Sequence, residues 1–389
     1  MNKENKTLSM VLKILSYVLV AAIAVGLTLG VTAFNQGKLN TLELIIDRYF
    51  VDDYDKETVE DAAAAAMVAA LGNRWSYYIP ASEYAAYMER QNNSYVGIGI
   101  TISPLADNKG LEILRVEPGS GALDAGLQPG DVVIEVNGQG MDVLSVDNAK
   151  TLVQGESGTT VQITVLRNGK EMEFTVERRH IQLEVATGEL LDGNVGYIKI
   201  NNFNSRCAQE TIALIEKLQE EGATSLLFDV RFNPGGYKDE MVKVLDYLLP
   251  KGDLFRSVDY NGNEETDTSD ENCLKMPMAV LINRDSYSAA EFFAAALREY
   301  DWATLVGEAT TGKSHFQIAM ELGDGSAVNL SVGKYLTPKG VSLADVGGLQ
   351  PDEAVDVDDA AYAKLYSGQL PREEDTQLAA ALEVLKTAQ

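Results

Sequence analysis

Asn283–Gln317 reads NRDSYSAAEFFAAALREYDWATLVGEATTGKSHFQ. Five consecutive apolar residues, Met278–Ile282, lead into it, the pattern of a strand buried on both faces. A turn carrying Ser286 and Ser288 follows, then a helical segment from Ala289 to about Tyr300. A second apolar run, Ala303–Val306, returns as a strand, and Thr310-Thr311-Gly312-Lys313 forms a turn after it. A serine therefore stands where a strand becomes a helix, with Lys313 25 positions later and Gln317 four beyond that. Strand, helix, strand is an α/β unit, and the order of its polar residues suggests a nucleophile and its base.

Ser288 has two readings. Ser288-Ala289-Ala290-Glu291 fits the Ser-x-x-Glu capping box ahead of an apolar helix. The same place exposes a hydroxyl and aims the next N–H groups at developing negative charge. A nucleophilic serine needs a base. The chain has only two histidines, His180 and His315. Lysine does the same work when an apolar pocket lowers its pKa, which Lys313 can provide; locally it also reads as a surface lysine in a turn. Gln317 could hydrogen-bond the neutral amine without adding charge.

Working outward, the pattern from Ile181 is α/β. Val195–Ile200 is a strand, Ala208–Glu221 an amphipathic helix closed by Gly222, and Ser225–Val230 a buried strand. Asn233-Pro234-Gly235-Gly236 breaks the chain there and offers backbone N–H groups for an oxyanion hole together with Ala289. Asp239–Leu249 reads as a helix, and polar Asp253–Asn272 as an exposed loop. Alternating elements predict a sheet covered by helices.

Upstream, Tyr95–Arg179 has strand periodicity. Asn168-Gly169 marks a hairpin between alternating runs, and Ser145 caps a short helix over 146–153. Residues 39–92 read as helical, with an Ala-rich stretch ending at Gly72, and carry no cluster suggestive of chemistry; packing or assembly is their expected role. Ile14–Phe34 is 21 residues without a charge, long enough to span a bilayer. Lys3, Lys6 and Lys13 before it place the N-terminus in the cytoplasm and the rest outside, whereas Val31-Thr32-Ala33 leaves open a cleaved signal.

The chain has 389 residues, 46% of them hydrophobic, enough for two or three domains. Its net charge of −26, from 32 basic and 58 acidic residues, argues against nucleic acid as a partner. Two cysteines, Cys207 and Cys273, are too few for a disulfide framework and leave one bridge open. No Cys/His cluster points to zinc, and no metal or nucleotide cofactor is expected.

Two resemblances emerge from these motifs. Val96-Gly97-Ile98-Gly99-Ile100 and Gly121–Asp131 resemble the carboxylate-binding loop and a downstream segment of a PDZ domain. Leu71–Tyr78, Asp229–Gly236, Asn283–Glu291, Gly307–Lys313, Gln317 and Gly348–Asp352 occur in the order found in C-terminal processing peptidases, the PDZ-containing Ser/Lys protease family. The resemblance implies a crotonase-like α/β protease core and a PDZ module; with the helical N-terminal region and the transmembrane helix read above, the expected fold is an α+β multidomain protein. The expected boundaries are 1–36 for tail and anchor, 37–94 for the helical region, 95–180 for the PDZ domain, 181–370 for the core and 371–389 for a C-terminal helix. By position the resemblance places the nucleophile on Ser288, the base on Lys313, its support on Gln317, and oxyanion donors on Gly235, Gly236 and Ala289. Ser286 fits the spacing less well. Peptide binding falls on Val96, Gly97, Ile98, Gly99 and Ile100, so the expected partners are protein C-termini and the membrane, with homo-oligomers frequent in the family. Tyr287 stands where the family usually has alanine, and Ser314 and Phe316 depart from a glycine and a small aliphatic. Asn73-Arg74 replaces Asp-Pro, at an expected distance from the chemistry. The expected activity is a membrane-anchored, extracytoplasmic serine endopeptidase cleaving near C-terminal ends. The altered flanks leave a catalytically inactive PDZ adaptor as the alternative. A cell-wall Ser/Lys hydrolase would need Ser-x-x-Lys, which neither serine has.

Overall fold

The structure is a computed structural model that describes residues 10, 13–23, 37–105, 109–141 and 143–388. The chain divides into two units, residues 1–63 and 64–389. In the first, residues 13–23 are helical and α1 spans Lys38–Tyr49. Of the expected membrane segment Ile14–Phe34, residues 24–34 lie outside the described residues. Among the described residues no helix is long and apolar enough to cross a membrane.

The Ala-rich helix α2 (Lys56–Ala69) precedes β1 (Tyr77–Ile79) and α3 (Ala81–Gln91). The helical reading of 39–92 therefore holds for α1, α2 and α3 and fails over 50–55, over the turns at 70–76 and at β1, which pairs with a strand more than 240 residues later. Three residues with no apolar alternation give no strand signal of their own; tertiary pairing makes the strand.

The next module begins with β2 (Ser94–Gly97), β3 (Ile100–Pro104) and β4 (Leu111–Val116), then α4 (Gly121–Ala125), β5 (Val132–Val136) and β6 (Gln139–Gly140). It continues with α5 (Val146–Val153), β7 (Thr160–Arg167), β8 (Lys170–Glu177) and β9 (Arg179–Gln182). One sheet runs β3-β4-β5-β7-β8, with β6 on β5, around a core of Ile98, Ile113, Leu127 and Ile163. Ser145 caps α5 by accepting from the Asn148 N–H at 3.2 Å. β2 and β9 form a separate ribbon that brings the module's two ends together.

The remaining chain builds two sheets from β10 (Ala186–Leu191), β11 (Val195–Ile200), α6 (Cys207–Glu220), β12 (Ser225–Asp229), α7 (Lys238–Leu248), β13 (Gly252–Asp259) and β14 (Glu264–Ser269). There follow β15 (Met278–Ile282), α8 (Ala289–Glu299), β16 (Ala303–Gly307), β17 (His315–Glu321), β18 (Ala327–Leu336), β19 (Glu353–Ala354), α9 (Asp359–Tyr366) and α10 (Thr376–Ala388). The first sheet, β10-β11-β12-β15-β16-β19, is parallel apart from β10. Every residue of β12 and β15 is buried, as the apolar run of β15 and the Leu226–Phe228 centre of β12 require. α6, α7 and α8 pack on one face, and Leu378, Ala381 and Leu385 of α10 cover the other. Both cysteines are unpaired thiols.

The second sheet, β1-β18-β13-β14 with β17 on β18, corrects the reading of 253–272 as a loop. Asn261-Gly262 turns a hairpin there. Phe255 sets it against the core, its ring 5.2 Å from Phe292 and 4.6 Å from Tyr335. The polar β14 gave no alternation because it is an exposed edge.

At the end of β12 a buried ion cluster ties down the C-terminal segment. The Arg231 guanidinium donates to Asp229 at 2.6 Å, to Asp375 at 2.9 Å and to Gln377 at 3.1 Å. The Tyr197 hydroxyl also donates to Asp229, at 2.8 Å. Removing one member of a buried pair leaves an uncompensated charge, at a cost of about 3–5 kcal/mol. Asp375→Ala is therefore expected to lower the unfolding free energy by about that amount in urea titration.

Candidate active site

β12 and β15 are adjacent parallel strands, so the turns leaving them meet at one edge of the sheet, where sites form in open α/β sheets. The two turns are cross-tied. The Phe232 N–H donates to Asn283 Oδ1 at 2.9 Å, and the Tyr287 N–H donates to the Asn233 carbonyl at 3.1 Å. Ser286 is the tie itself: its hydroxyl donates to the Val230 carbonyl at 2.8 Å and accepts from the Asn283 N–H at 3.1 Å. Both serines are buried, but the Ser286 hydroxyl is spent in the turn whereas Ser288 lines the cleft.

Ser288 has φ 58° and ψ −127°. A non-glycine residue there stores about 1–3 kcal/mol of strain and persists only where its surroundings over-determine it. Here they do. The capping box forms, with Glu291 accepting from the Ser288 N–H at 2.9 Å. The Glu291 N–H donates to the Ser288 carbonyl at 2.9 Å, so the hydroxyl is not its sole acceptor. Gly235, at φ +87°, lies against this turn: a Cβ there would come within 2.8 Å of both Ala289 N and Ser288 Cβ. Gly235 donates its own N–H to Asn233 Oδ1 at 2.8 Å, so that donor is already engaged.

Glu291, expected only as a cap, does more. Fully buried, it accepts from the Thr310 hydroxyl, from the Gly312 N–H at 2.7 Å and from the Lys313 N–H at 2.8 Å. One carboxylate thus fastens the serine turn to the lysine loop. Burial pushes its pKa up, against the pull of these hydrogen bonds. Its signal in the sequence was an acid leading an otherwise apolar helix.

Lys313 and Ser288 line one cleft of about 720 Å³, with Gly235, Gly236, Gln317 and Trp75. Burial lowers the Lys313 pKa to about 8; Arg74 adds to the effect and Glu291 opposes it. The amine lies 4.6 Å from the centre of the Trp75 ring and 5.7 Å from that of Tyr287. Gln317 reaches the same cleft, but its amide donates to the His315 carbonyl at 2.9 Å and to Ser331 Oγ at 3.0 Å. Ser331 Oγ in turn donates to Asn73 Oδ1 at 3.2 Å. Asn73 and Arg74 are thus part of the site, not remote from it, and the N-terminal region is more than packing. β1 carries them there by pairing with β18. A larger cleft, about 1040 Å³, lies by Arg298, Trp302 and Lys339 and holds none of the expected residues.

In the PDZ-like module, Gly97, Ile98, Gly99 and Ile100 line an apolar groove of about 200 Å³ with Ile102 and Val153. Val96 pairs with His180 in the ribbon instead. Among the described residues no group of three or more His, Cys, Asp or Glu could hold a metal.

The family model for peptidase family S41 matches residues 194–355, and that for the PDZ domain matches 87–166. The carboxy-terminal processing protease CtpA of Bacillus subtilis is 33% identical over 333 residues, 84% of this chain and 70% of that protein. This chain belongs to peptidase family S41. The carboxyl-terminal-processing protease of a Synechocystis species is 32% identical over 82% of this chain and 75% of its own length. A solved structure described as an S41 protease candidate from Bacteroides fragilis shares the fold, with a TM-score of 0.54 and 21% identity over 87% of this chain and 92% of that one. The S41 chain is accordingly a serine-type peptidase with a PDZ domain.

Glu291 generates a test. Gln in its place turns two acceptor positions into donors facing N–H groups. Glu291→Gln is expected to lower kcat/KM by about 100-fold or more. It should also move the acid limb of any residual activity to lower pH, because the charge that favours protonated Lys313 is gone. A pH–rate profile checks both.

Proposed function

We propose that Ser288 is the nucleophile of this peptidase and Lys313 its general base. The observation that carries this is the single cleft in which a strained serine at a helix start and a lysine of lowered pKa are held by one buried carboxylate. Ser288 Oγ attacks the scissile carbonyl carbon while its proton passes to Lys313 Nζ. The oxyanion takes N–H donors from Ala289 and Gly236; Gly235 contributes by close approach, since its own N–H is engaged. Lys313 gives the proton to the leaving amine. Water, deprotonated by Lys313, then attacks the acyl ester and frees Ser288. Gln317 shapes the strand beside the lysine. The parallel sheet flanked by helices supports the crotonase-like core that the resemblance implied.

The substrates proposed are proteins cut near their C-terminal ends, with the groove at Gly97–Ile100 taking the terminal carboxylate on backbone N–H groups and an apolar last side chain in its lining. The charge-free run Ile14–Phe34 behind three lysines supports anchoring in the membrane, with residues after it outside the cytoplasm.

Digestion of an unfolded protein with an apolar C-terminus tests the chemistry. Ser288→Ala and Lys313→Ala should each lose about 100-fold or more while keeping the wild-type melting temperature. The neutral amine is the working form, so kcat/KM should rise with pH through about 8 and fall away below it. Amidating the substrate's C-terminus should slow cleavage. Equal rates for wild type and both variants would overturn the assignment.

A further inference from the structure

Lys313 must be held still with its amine unprotonated, and the described structure shows what surrounds it. Its main-chain N–H goes to Glu291. Its amine meets two rings, Trp75 and Tyr287, themselves 5.5 Å apart and tilted by 32°. Among the described residues Nζ hydrogen-bonds to neither Ser288 nor Gln317, whose amide nitrogen serves the strand instead. Over the same indole ring lies a second cation, the Arg74 guanidinium, 4.1 Å from its centre.

We propose that Trp75 and Tyr287 are the positioning residues of Lys313, and that Arg74, seated on the same indole, sets the pH at which this lysine acts as base. The inference rests on the Ser288/Lys313 reading above.

The rings do two opposite things. Their π-faces attract an ammonium, which steadies the side chain in its resting, protonated form. Their bulk keeps water from it, which favours the neutral form. Neither ring face offers a strong acceptor, so once the proton leaves no carboxylate competes for it and the hydroxyl of Ser288 is the group in the cleft that needs the lone pair.

Arg74 decides the balance because few other charges face Lys313. From α8 there is Glu291, which favours the ammonium; from the segment before β1 there is Arg74, which disfavours it. The other titratable groups lining the cleft are tyrosines: Tyr77 of β1, Tyr84 and Tyr87 of α3, Tyr237 beside the oxyanion turn, Tyr287 and Tyr335 of β18. The hydrogen bond to Glu321 raises the pKa of Tyr84 and burial raises that of the others, so all stay neutral through the working range. His315, two residues after Lys313, opens β17. An arginine this close to a buried amine would ordinarily be driven apart from it by like charge; the indole gives both cations one shared partner. Tyr287, a departure from the family's alanine, completes the second wall.

The test is the pH dependence of kcat/KM on a peptide substrate, with melting temperatures in parallel. Arg74→Gln should move the acid limb upward by roughly half a pH unit, because a like charge is lost. Arg74→Lys should keep the wild-type limb. Tyr287→Ala should lower kcat by about tenfold with KM little changed, as the amine loses a wall, while Tyr287→Phe should retain wild-type kcat. A limb unmoved in Arg74→Gln, or a Tyr287→Ala kcat equal to wild type, overturns the proposal even if Lys313→Ala is inactive. A Lys313→Ala enzyme as active as wild type, with the same limb, would instead remove the base assignment beneath it. Should Arg74→Gln melt early, the Tyr287→Ala and Tyr287→Phe pair still decides the positioning role.

Discussion

One buried carboxylate holds this site together. Glu291 accepts hydrogen bonds from the main chain of Ser288, Gly312 and Lys313 and from the Thr310 hydroxyl. A carboxylate in an apolar helix is costly unless its lone pairs are filled, and here two separate loops must come to it to fill them. The need for partners thus becomes a constraint on geometry. Ser288 is kept in a backbone conformation that it would not adopt alone, and the loop after β16 is kept at the start of α8. Thr310 extends the tie, because its hydroxyl also accepts from the Leu349 N–H at 2.8 Å.

Around this carboxylate the fold supplies the rest by layers. The parallel sheet ends two neighbouring strands at the same edge, so the Gly235 turn and the serine turn touch. The second sheet brings Gln317 on β17 and, through β1, the Arg74-Trp75 pair. The PDZ module is fastened to the same neighbourhood by its two ends. Arg206 donates to the Asn92 carbonyl at 3.1 Å and to the Leu183 carbonyl at 2.6 Å, and nearby the Phe203 N–H donates to the Gly235 carbonyl at 2.7 Å. A short series of hydrogen bonds to main-chain carbonyls therefore runs from the module's two ends to the Gly235 turn.

Much of this was legible in the sequence, for physical reasons that differ by element. Met278–Ile282 and Leu226–Phe228 read as buried strands, because nothing polar interrupts them. The turn at Asn233–Gly236 and the 25-residue interval from Ser288 to Lys313 stood out as local patterns. What escaped was non-local. The Asn261-Gly262 hairpin was hidden by an edge strand as polar as a loop. Arg74 and Trp75 lie far along the chain from Lys313, and only strand pairing brings them to it. Glu291 was visible as a cap, but its bonds to Gly312 and Lys313 depend on a loop some 20 residues on, which no local pattern predicts. Gly235 looked like an oxyanion donor until Asn233 claimed its N–H.

The central claim is that Glu291 and the aromatic wall hold a working Ser288/Lys313 pair. The most direct measurement is labelling by a fluorophosphonate, which modifies only an activated serine, with the modified residue identified by peptide mass spectrometry across pH. The account predicts one adduct, on Ser288, forming faster as pH rises through about 8 and absent in Lys313→Ala. An adduct on Ser286 or elsewhere, or labelling of Lys313→Ala at the wild-type rate, would contradict it.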